Sequence, residues 1–239
     1  MKQDNNKKIA IMQPYFFPYI GYWQLINTVD EFIIFDDVNY IKRGWINRNY
    51  ILLNGKKYRI GLNIKDVSQN RLIKDTYLAQ SYKDTNKLLA SIFHAYNKAS
   101  YFYDVYPILE KILNTKSNRI VDVLTKQIEE VCKYLKIKTK IICSSTLSND
   151  KEKHGEQKII DICKKQNAKY YINAIGGREL YREENFKENG LILKFLQTEN
   201  IDYQQLGNYD FQANLSIIDV MMCNAPDKIA QMLNKYNLI

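Results

Sequence analysis

The first patterned part of the chain alternates short apolar runs with polar breaks. Residues 8–12 form an apolar run that ends at a Gln-Pro pair, and a helix is predicted from about residue 19 to residue 28. A second apolar run, residues 32–35, ends in two consecutive aspartates. This order of strand, loop, helix and strand is typical of the start of an α/β domain.

A β-hairpin is predicted directly after this unit. Two β-prone segments, residues 50–53 and 57–62, flank the dipeptide Asn54-Gly55. Asn-Gly between such runs is a strong hairpin signal, because both residues tolerate a positive φ. A polar, weakly patterned stretch follows and is predicted to be a loop.

The middle of the chain is predicted to be helical, over residues 85–98, 105–113 and 118–135. The last of these segments places its apolar residues on one helical face. We therefore predict a helical insertion at about 84–136, which either walls one side of a site or forms a long crossover between parallel strands.

The α/β pattern then resumes and continues to the end of the chain. Strands are predicted at 140–143, 169–172 and 191–195, helices at 155–166 and 182–188, and two terminal helices at 215–223 and 227–236. No repeat or linker divides the chain. The prediction is a single α/β domain, residues 1–239, with a mainly parallel Rossmann-like sheet, flanking helices, a β-hairpin and a helical middle segment.

Composition limits the class of protein. The 239 residues are 46% apolar, enough for a sizeable core, and no apolar run approaches the roughly 20 residues that span a bilayer. Four widely spaced cysteines indicate reduced thiols, so we predict a cytoplasmic protein without membrane insertion. The net charge of +9 is interpreted as spread along the chain, able to attract phosphorylated small molecules but lacking a nucleic-acid motif.

In a sheet of parallel strands, ligands bind beyond the carboxyl ends, which here are followed by residues 13–22 and 36–48. The first loop carries aromatic side chains able to stack on a sugar or base, and a glycine that would allow close backbone approach. Its Tyr19-Ile20-Gly21-Tyr22 segment has the layout of the His-x-Gly-His element of adenylyl-forming enzymes, without the histidines. Aromatic packing around a tight turn is the alternative.

The paired carboxylates Asp36 and Asp37 are the first candidates for acid–base chemistry. Successive side chains of a strand point to opposite faces, so one of the two is expected to face the crevice. It could bind a sugar hydroxyl, hold an ammonium group or act as a general base. The alternative is a loop-capping Asp with a solvated neighbour. His94 and His154 are isolated, so no metal site is predicted.

Two loops have the composition of phosphate sites. Residues 42–48 place Lys42, Arg43 and Arg48 around Trp45, and arginine can grip a phosphate with two hydrogen bonds, although a solvated basic loop is equally consistent. Residues 173–178 contain Gly176 and Gly177, whose backbone N–H groups could face a phosphate. Cys143 beside two serines is better explained as a structural thiol than as a nucleophile.

The chain resembles the WbqC-like family. The resemblance rests on KIAIMQPYFFPYIGYWQLINTVDEFIIFDDVNYIKRGWINRN near the start, and on Tyr203-Gln204-Gln205 and Leu215-Ser216-Ile217-Ile218-Asp219 near the end. Ala225-Pro226 stands where the family often has a glycine. The resemblance implies a role in bacterial surface polysaccharide and O-antigen synthesis, as an acyl or aminoacyl transferase that acts on a nucleotide-linked amino sugar.

We therefore predict an enzyme that forms an amide, for example a glycyl amide, on that amine. Its partners are a nucleotide-linked amino sugar and an unknown acyl or aminoacyl donor; no built-in cofactor and no nucleic acid are expected, unless the donor is an aminoacyl-tRNA. An ATP-dependent carboxylate-amine ligase and a non-catalytic sugar-nucleotide binding protein are the alternatives. The predicted catalytic residues are Asp36, Asp37 and Asp219, and the alternative for Asp219 is a buried residue that caps a neighbouring loop. The predicted substrate-binding residues are Gln13, Tyr15, Tyr19, Gly21, Tyr22, Asn39, Lys42, Trp45, Arg48, Asn173, Gly176, Gln205 and Ser216.

Overall fold

A computed structural model describes residues 6–150 and 152–239. The helices are α1 (Ile20–Thr28), α2 (Tyr82–Tyr96), α3 (Phe102–Leu113), α4 (Ile120–Tyr134), α5 (Gly155–Lys165), α6 (Glu183–Glu188), α7 (Ile217–Cys223) and α8 (Pro226–Met232). The strands are β1 (Lys8–Met12), β2 (Glu31–Ile34), β3 (Arg48–Leu53), β4 (Lys56–Gly61), β5 (Lys140–Cys143), β6 (Tyr170–Ala174), β7 (Ile192–Thr198) and β8 (Tyr236–Leu238).

Six strands form the main sheet, in the order β5-β2-β1-β6-β7-β8. All neighbours are parallel except β8, which runs antiparallel to β7. Counted along the chain, the five parallel strands lie in the order 3-2-1-4-5, as in dinucleotide-binding α/β folds. The predicted mainly parallel α/β sheet with a separate hairpin is thereby confirmed.

The sheet opens between β1 and β6. These two strands pair only at Lys8 with Tyr170 and at Ile9 with Tyr171. Further along, β1 pairs with β2 through Met12, whereas β6 pairs with β7 through Ala174. Strand order reverses at this junction, so a crevice is expected outside the carboxyl ends of β1 and β6.

The long connection from β2 to β5 contains both the hairpin and helices α2 to α4. Since β2 and β5 are adjacent and parallel, this connection is a crossover, which was one of the two predicted alternatives. Apolar side chains of these helices join the same buried cluster as Trp23 of α1 and Ile51 of β3. Within the described residues, no helix is both long and apolar enough to cross a bilayer.

The hairpin is a separate two-stranded sheet, and its predicted Asn-Gly turn is confirmed. Asn54 and Gly55 have φ values of 50° and 72°, as a tight hairpin turn requires. The Tyr209 ring lies so close to Gly55 that an added Cβ would stand 2.5 Å from it. Turn conformation and close packing therefore both require glycine at position 55.

The prediction of a terminal helix over residues 227–236 is wrong at its end. Helix α8 stops at Met232, and Tyr236 begins β8, which pairs with the edge strand β7. Asn234 follows the last helical turn and donates its side-chain amide to the carbonyl of Ala230. The helical pattern could not reveal that a free sheet edge lies within reach of the last residues.

Candidate functional site

The aromatic loop after β1 is fixed by hydrogen bonds from distant elements. Gln127 of α4 accepts from the backbone N–H of Phe17 at 2.7 Å and donates to the carbonyl of Tyr15 at 2.9 Å. Asn49 of β3 donates to the carbonyls of Phe16 and Phe17 at 3.0 and 2.7 Å. The φ of Phe17 is 41°, an uncommon left-handed conformation that these bonds hold in place. The loop is therefore rigidly held.

The tyrosines of this loop differ in exposure. Tyr22 is buried, and its hydroxyl donates to the carbonyl of Gln13 at 2.9 Å, so its ring belongs to the core. Burial raises the pKa of Tyr22 well above its ordinary value, and the neighbouring Tyr15 raises it further. Tyr15 and Tyr19 are half-buried and accessible in part. The aromatic-packing alternative describes Tyr22, while Tyr15, Tyr19 and the half-exposed Gln13 side chain remain possible ligand contacts.

Gly21 packs against side chains. A Cβ added here would lie 2.5 Å from the Tyr19 ring and 2.6 Å from Oγ1 of Thr198, at the end of β7. The space predicted for ligand approach is filled by the protein's own atoms. Glycine is needed because α1 and β7 approach closely.

Replacing Gly21 with Ala is expected to lower the free energy of unfolding by about 1–3 kcal/mol, because overpacking outweighs the higher helix propensity of alanine. Gly176→Ala is the matched control, since nothing lies within 4 Å of a Cβ at that position. Urea denaturation of both variants checks this, and equal stability of the two would contradict it.

Asp36 and Asp37 form a buried cluster with the start of the loop after β5. Ser145 donates to Asp36 from its backbone N–H at 2.8 Å and from its hydroxyl at 2.6 Å. The Ser144 hydroxyl lies within hydrogen-bonding distance of both carboxylates and, having one proton, can donate to only one at a time. Nζ of Lys158, on α5, lies 2.8 Å from Oδ2 of Asp37.

This cluster favours the charged form of Asp37 without exposing it. Burial alone would raise the pKa of Asp37, but the ammonium of Lys158 and the Ser144 hydroxyl outweigh it and lower that pKa. Lys158 is itself buried, donates to the Asp37 carbonyl at 3.0 Å and lies 5.5 Å from the centre of the Phe35 ring. A carboxylate with a lowered pKa is a weak proton acceptor.

The expectation that Asp36 and Asp37 point to opposite faces is wrong. Strand β2 ends at Ile34, so the alternation of a strand no longer applies two residues later. Both carboxylates meet Ser144, and both are buried. Lys158 and Ser145 were not predicted as partners, although Ser144 and Ser145 directly follow β5, the strand that pairs with β2.

A basic cleft of about 420 Å³ lies between the loop after β2 and strand β4. Its cations are Lys42, Arg43, Arg48 and Arg59, and none of the residues that line it is acidic. Among the described residues, none of these four cations forms an ion pair. Uncompensated cations around a concave surface create a field that attracts anions.

Asn47 holds the two walls of this cleft together. Its side chain donates to the carbonyl of Leu62 at 2.8 Å and accepts from the Tyr40 hydroxyl at 2.8 Å. Its backbone carbonyl accepts from the N–H of Leu62 at 2.8 Å. These bonds fix the loop after β2 against the end of strand β4 and so shape the cleft.

An aromatic surface adjoins the cations. Trp45 is exposed, and its ring lies 6.1 Å from that of Tyr50. Tyr50 is directly opposite Arg59 in the hairpin, so the two side chains share a face. Of the residues predicted here, Lys42 and Arg48 line the cleft and Trp45 packs near Tyr50, whereas Asn39 is exposed and forms a bridge with Leu72. Arg59 was missed because it lies in the hairpin strand.

The net charge is concentrated in the stretch of the chain that forms this cleft, contrary to the expectation of an even spread. Residues 38–75, here called the hairpin lobe, contain nine Lys or Arg against two Asp. The lobe therefore carries +7 of the protein's net +9. A count over the whole chain could not show this, since the other residues are nearly neutral.

Asp219 lies at the centre of a second buried cluster. It accepts from the hydroxyls of Tyr96 and Tyr203 at 2.7 and 2.6 Å, and from Nε2 of Gln205 at 2.9 Å. Burial raises its pKa, although these three donors act in the opposite direction. Tyr96 also accepts from the N–H of Leu52, so the cluster ties the hairpin to α2 and α7.

Ser216 caps α7, and its backbone N–H donates to the carbonyl of Tyr50. Three predicted site residues are thus close together: Gln205, Ser216 and Asp219. Their hydrogen bonds connect elements of the fold and do not point to a ligand. Tyr203 lies in a motif that the resemblance includes. Tyr96 is far from Asp219 along the chain and was not predicted as its partner.

Asp219→Asn is expected to lower the free energy of unfolding by about 1–3 kcal/mol, because an amide NH₂ would face donors in place of one carboxylate oxygen. Tyr203→Phe removes a single donor and should have the smaller effect, about 1 kcal/mol. Urea denaturation checks both variants. If Asp219→Asn is as stable as wild type, the cluster does not tie these elements together.

Asn173 and Gly176 lie at the crevice side of β6. Asn173 is buried, and its Oδ1 accepts from the N–H of Ala174 at 2.7 Å. Its amide nitrogen would stand 2.9 Å from a Cβ on Gly177, whereas the space around Gly176 is open. Asn173 therefore shapes the loop, and Gly176 is the position where a ligand could approach.

The described residues give little support for a cysteine nucleophile or a metal site. Burial raises the pKa of all four cysteine thiols, to about 12 for Cys132 and Cys223, which disfavours a thiolate nucleophile. No group of three or more His, Cys, Asp or Glu side chains is placed to hold a metal ion among residues 6–150 and 152–239.

Comparisons with known proteins agree with the motifs. The chain is similar to the uncharacterized protein Rv1507c of Mycobacterium tuberculosis (strain ATCC 25618 / H37Rv), with 26% identity over 227 residues, covering 92% of this chain and 96% of that protein. No solved structure matches it significantly. A profile of the WbqC-like protein family matches residues 13–231, which includes every predicted site residue. The chain therefore belongs to the WbqC-like protein family.

Proposed function

We propose that the protein binds a nucleotide-linked amino sugar and forms an amide on its amine, in the cytoplasm, with an acyl or aminoacyl donor. The observation that carries the proposal is the basic cleft, whose four cations have no acidic partner in the described structure. Its volume of about 420 Å³ lies within the range of small-molecule sites.

The groups around the cleft match the parts of such a ligand. Arg48 and Arg59 are suited to the diphosphate, because a guanidinium can donate two parallel hydrogen bonds to phosphate oxygens. Trp45 offers an exposed ring on which a base or sugar can stack. The sugar would then extend from the cleft with its amine free.

The proposed reaction forms one bond and breaks one. The neutral amine attacks the acyl carbon, the new C–N bond replaces the bond to the donor's carrier, and the amine proton leaves with the carrier or to water. Asp36 and Asp37 are assigned a positioning role here, because they are buried and paired while they anchor the loop that carries Lys42 to Arg48. The lowered pKa of Asp37 supports this over a role as general base.

A second candidate is a sugar-nucleotide binding protein without catalysis. It is favoured by the residues that line the cleft, none of which is Asp, Glu, His or Cys. Binding would then be the whole function, and the protein would deliver its ligand to another enzyme.

The test offers the purified protein a nucleotide-linked 4-amino sugar with acyl or aminoacyl donors, and follows amide formation by mass spectrometry. Binding is measured in parallel by calorimetry, with the corresponding hydroxy sugar as control. Turnover supports the transferase, binding without turnover supports the second candidate, and absence of both overturns the proposed cleft ligand.

A further inference from the structure

Exposed apolar side chains lie in the segments that form the basic cleft. Val67, 44% exposed, lines it, and Ile41 and Trp45, each 48% exposed, lie in the loop that forms one wall. Ile41 is next to Lys42 in sequence and packs on Gly44. Exposed apolar side chains therefore accompany the cations in the segments that form the cleft, an arrangement that a purely polar ligand does not require.

The positive charge of the lobe also exceeds what the proposed small ligand needs. A diphosphate carries about one negative charge per phosphate group, whereas the lobe carries a net +7. Lys56 and Lys65 are exposed outside the cleft, and no ion pair of either is found in the described structure. The excess indicates a partner with many negative charges.

We propose that this surface docks the protein on an anionic phospholipid bilayer. Phospholipid head groups supply a dense layer of phosphates for the lysines and arginines, and the acyl boundary beneath them accepts Ile41 and Val67. Trp45 follows Lys42 and Arg43 in the same loop and is exposed, and tryptophan favours the membrane–water interface. The contact is peripheral, and the chain does not cross the bilayer.

A nucleic acid would satisfy the cations and could stack on Trp45, but it leaves the aliphatic side chains unexplained. Ile41 and Val67 have no planar face for base stacking, and their exposed surface gains most from contact with hydrocarbon. The combination of charge with aliphatic side chains therefore favours a bilayer. The inference does not require the proposed reaction.

Co-sedimentation with vesicles tests the proposal. The full chain is expected to bind vesicles of equal parts phosphatidylglycerol and phosphatidylcholine, to release them as salt rises, and to bind vesicles of phosphatidylcholine alone far less. Binding should shift the emission of Trp45 to the blue, and this signal is specific because Trp23, the other tryptophan, is fully buried.

Matched variants separate the lobe from the rest of the surface. Lys42→Ala/Arg43→Ala should lower the partition coefficient about 25-fold, at about fivefold per cation, whereas Lys187→Ala/Lys228→Ala removes the same charge outside the lobe and should have little effect. Ile41→Ser should lower it roughly fivefold, and Leu180→Ser is its control, since Leu180 is 71% exposed on another part of the fold.

Thermal melting confirms that each variant is folded, which these exposed positions should allow. Absence of binding to the anionic vesicles at low salt overturns the proposal, as does an equal loss in the lobe variants and their controls. Tighter binding to a single-stranded RNA oligonucleotide than to the vesicles also overturns it and assigns the surface to nucleic acid. None of these outcomes depends on amide formation.

Discussion

Lys158→Met is expected to lower the free energy of unfolding by about 3–5 kcal/mol, because it leaves the buried carboxylate of Asp37 without its cation. Lys158 and Asp37 are both buried, and their charged groups lie 2.8 Å apart. Methionine preserves most of the apolar volume of the lysine chain, so the loss would measure the uncompensated charge and not a cavity. Urea denaturation at neutral pH provides the measurement.

The double variant Lys158→Met/Asp37→Leu should recover much of this loss, because a buried ion pair can often be replaced by apolar groups at little cost. Lys164→Met is the matched control on the exposed side of the same helix, and should change stability by less than about 0.5 kcal/mol. If Lys158→Met unfolds at the same urea concentration as this control, the pair contributes no stability.

The same pair predicts how stability varies with pH. The pKa of Asp37 is lowered in the folded protein, so its contribution is complete above the ordinary aspartate pKa of about 3.9 and is lost as the pH falls through the lower folded value. Lys158→Met removes the main group that lowers this pKa. Its acid-induced loss of stability should therefore be smaller than that of the wild type.

Arg59→Ala is expected to weaken binding of a nucleotide-linked amino sugar about 10- to 100-fold, which corresponds to one lost hydrogen-bonding interaction with a charged group. Arg59 lines the cleft from an exposed strand position, and its side chain has no ion-pair partner among the described residues. Calorimetric titration gives the affinity directly. Stability should be unchanged, because the residue is exposed.

Arg48→Ala should weaken binding by a similar factor but also disturb the loop, because the Arg48 side chain donates to the carbonyls of Arg43 and Gly44. Arg59→Lys keeps the positive charge but loses the paired N–H donors of the guanidinium. An intermediate affinity would therefore indicate two parallel hydrogen bonds to phosphate. Arg182→Ala, exposed at the start of α6, is the charge-matched control. Equal affinities for Arg59→Ala and this control would exclude Arg59 from the ligand site.

The sequence was sufficient for the elements whose signals are local. The hairpin followed from Asn54-Gly55, whose φ values are set by the two residues themselves. The parallel sheet followed from apolar runs that alternate with helical periodicity, since strands buried on both faces are continuous apolar segments. The basic cleft was predicted in part, because Lys42, Trp45 and Arg48 are close in sequence.

What could not be predicted depends on contacts between distant residues. Asp36 and Asp37 resembled a pair of catalytic acids until Lys158, more than 100 residues away, was found beside them. Gly21 was predicted to contact a ligand because its sequence neighbours do not reveal Thr198, a distant residue of β7 that occupies the space beside it. In each case the side chain alone allows a functional and a structural role, and only its tertiary partner decides between them.

The hairpin offers a route to altered ligand preference. Among the described residues it shares no strand pairing with the main sheet. It is attached by hydrogen bonds from Asn49, Leu52 and Tyr50 to Phe16, Tyr96 and Ser216. Arg59, opposite Tyr50, contributes its side chain to the cleft and makes none of these attachments. Chimeras that exchange residues 48–61 between members of the family, while retaining the attachment residues, should therefore transfer the part of binding selectivity that Arg48 and Arg59 contribute, without refolding the sheet.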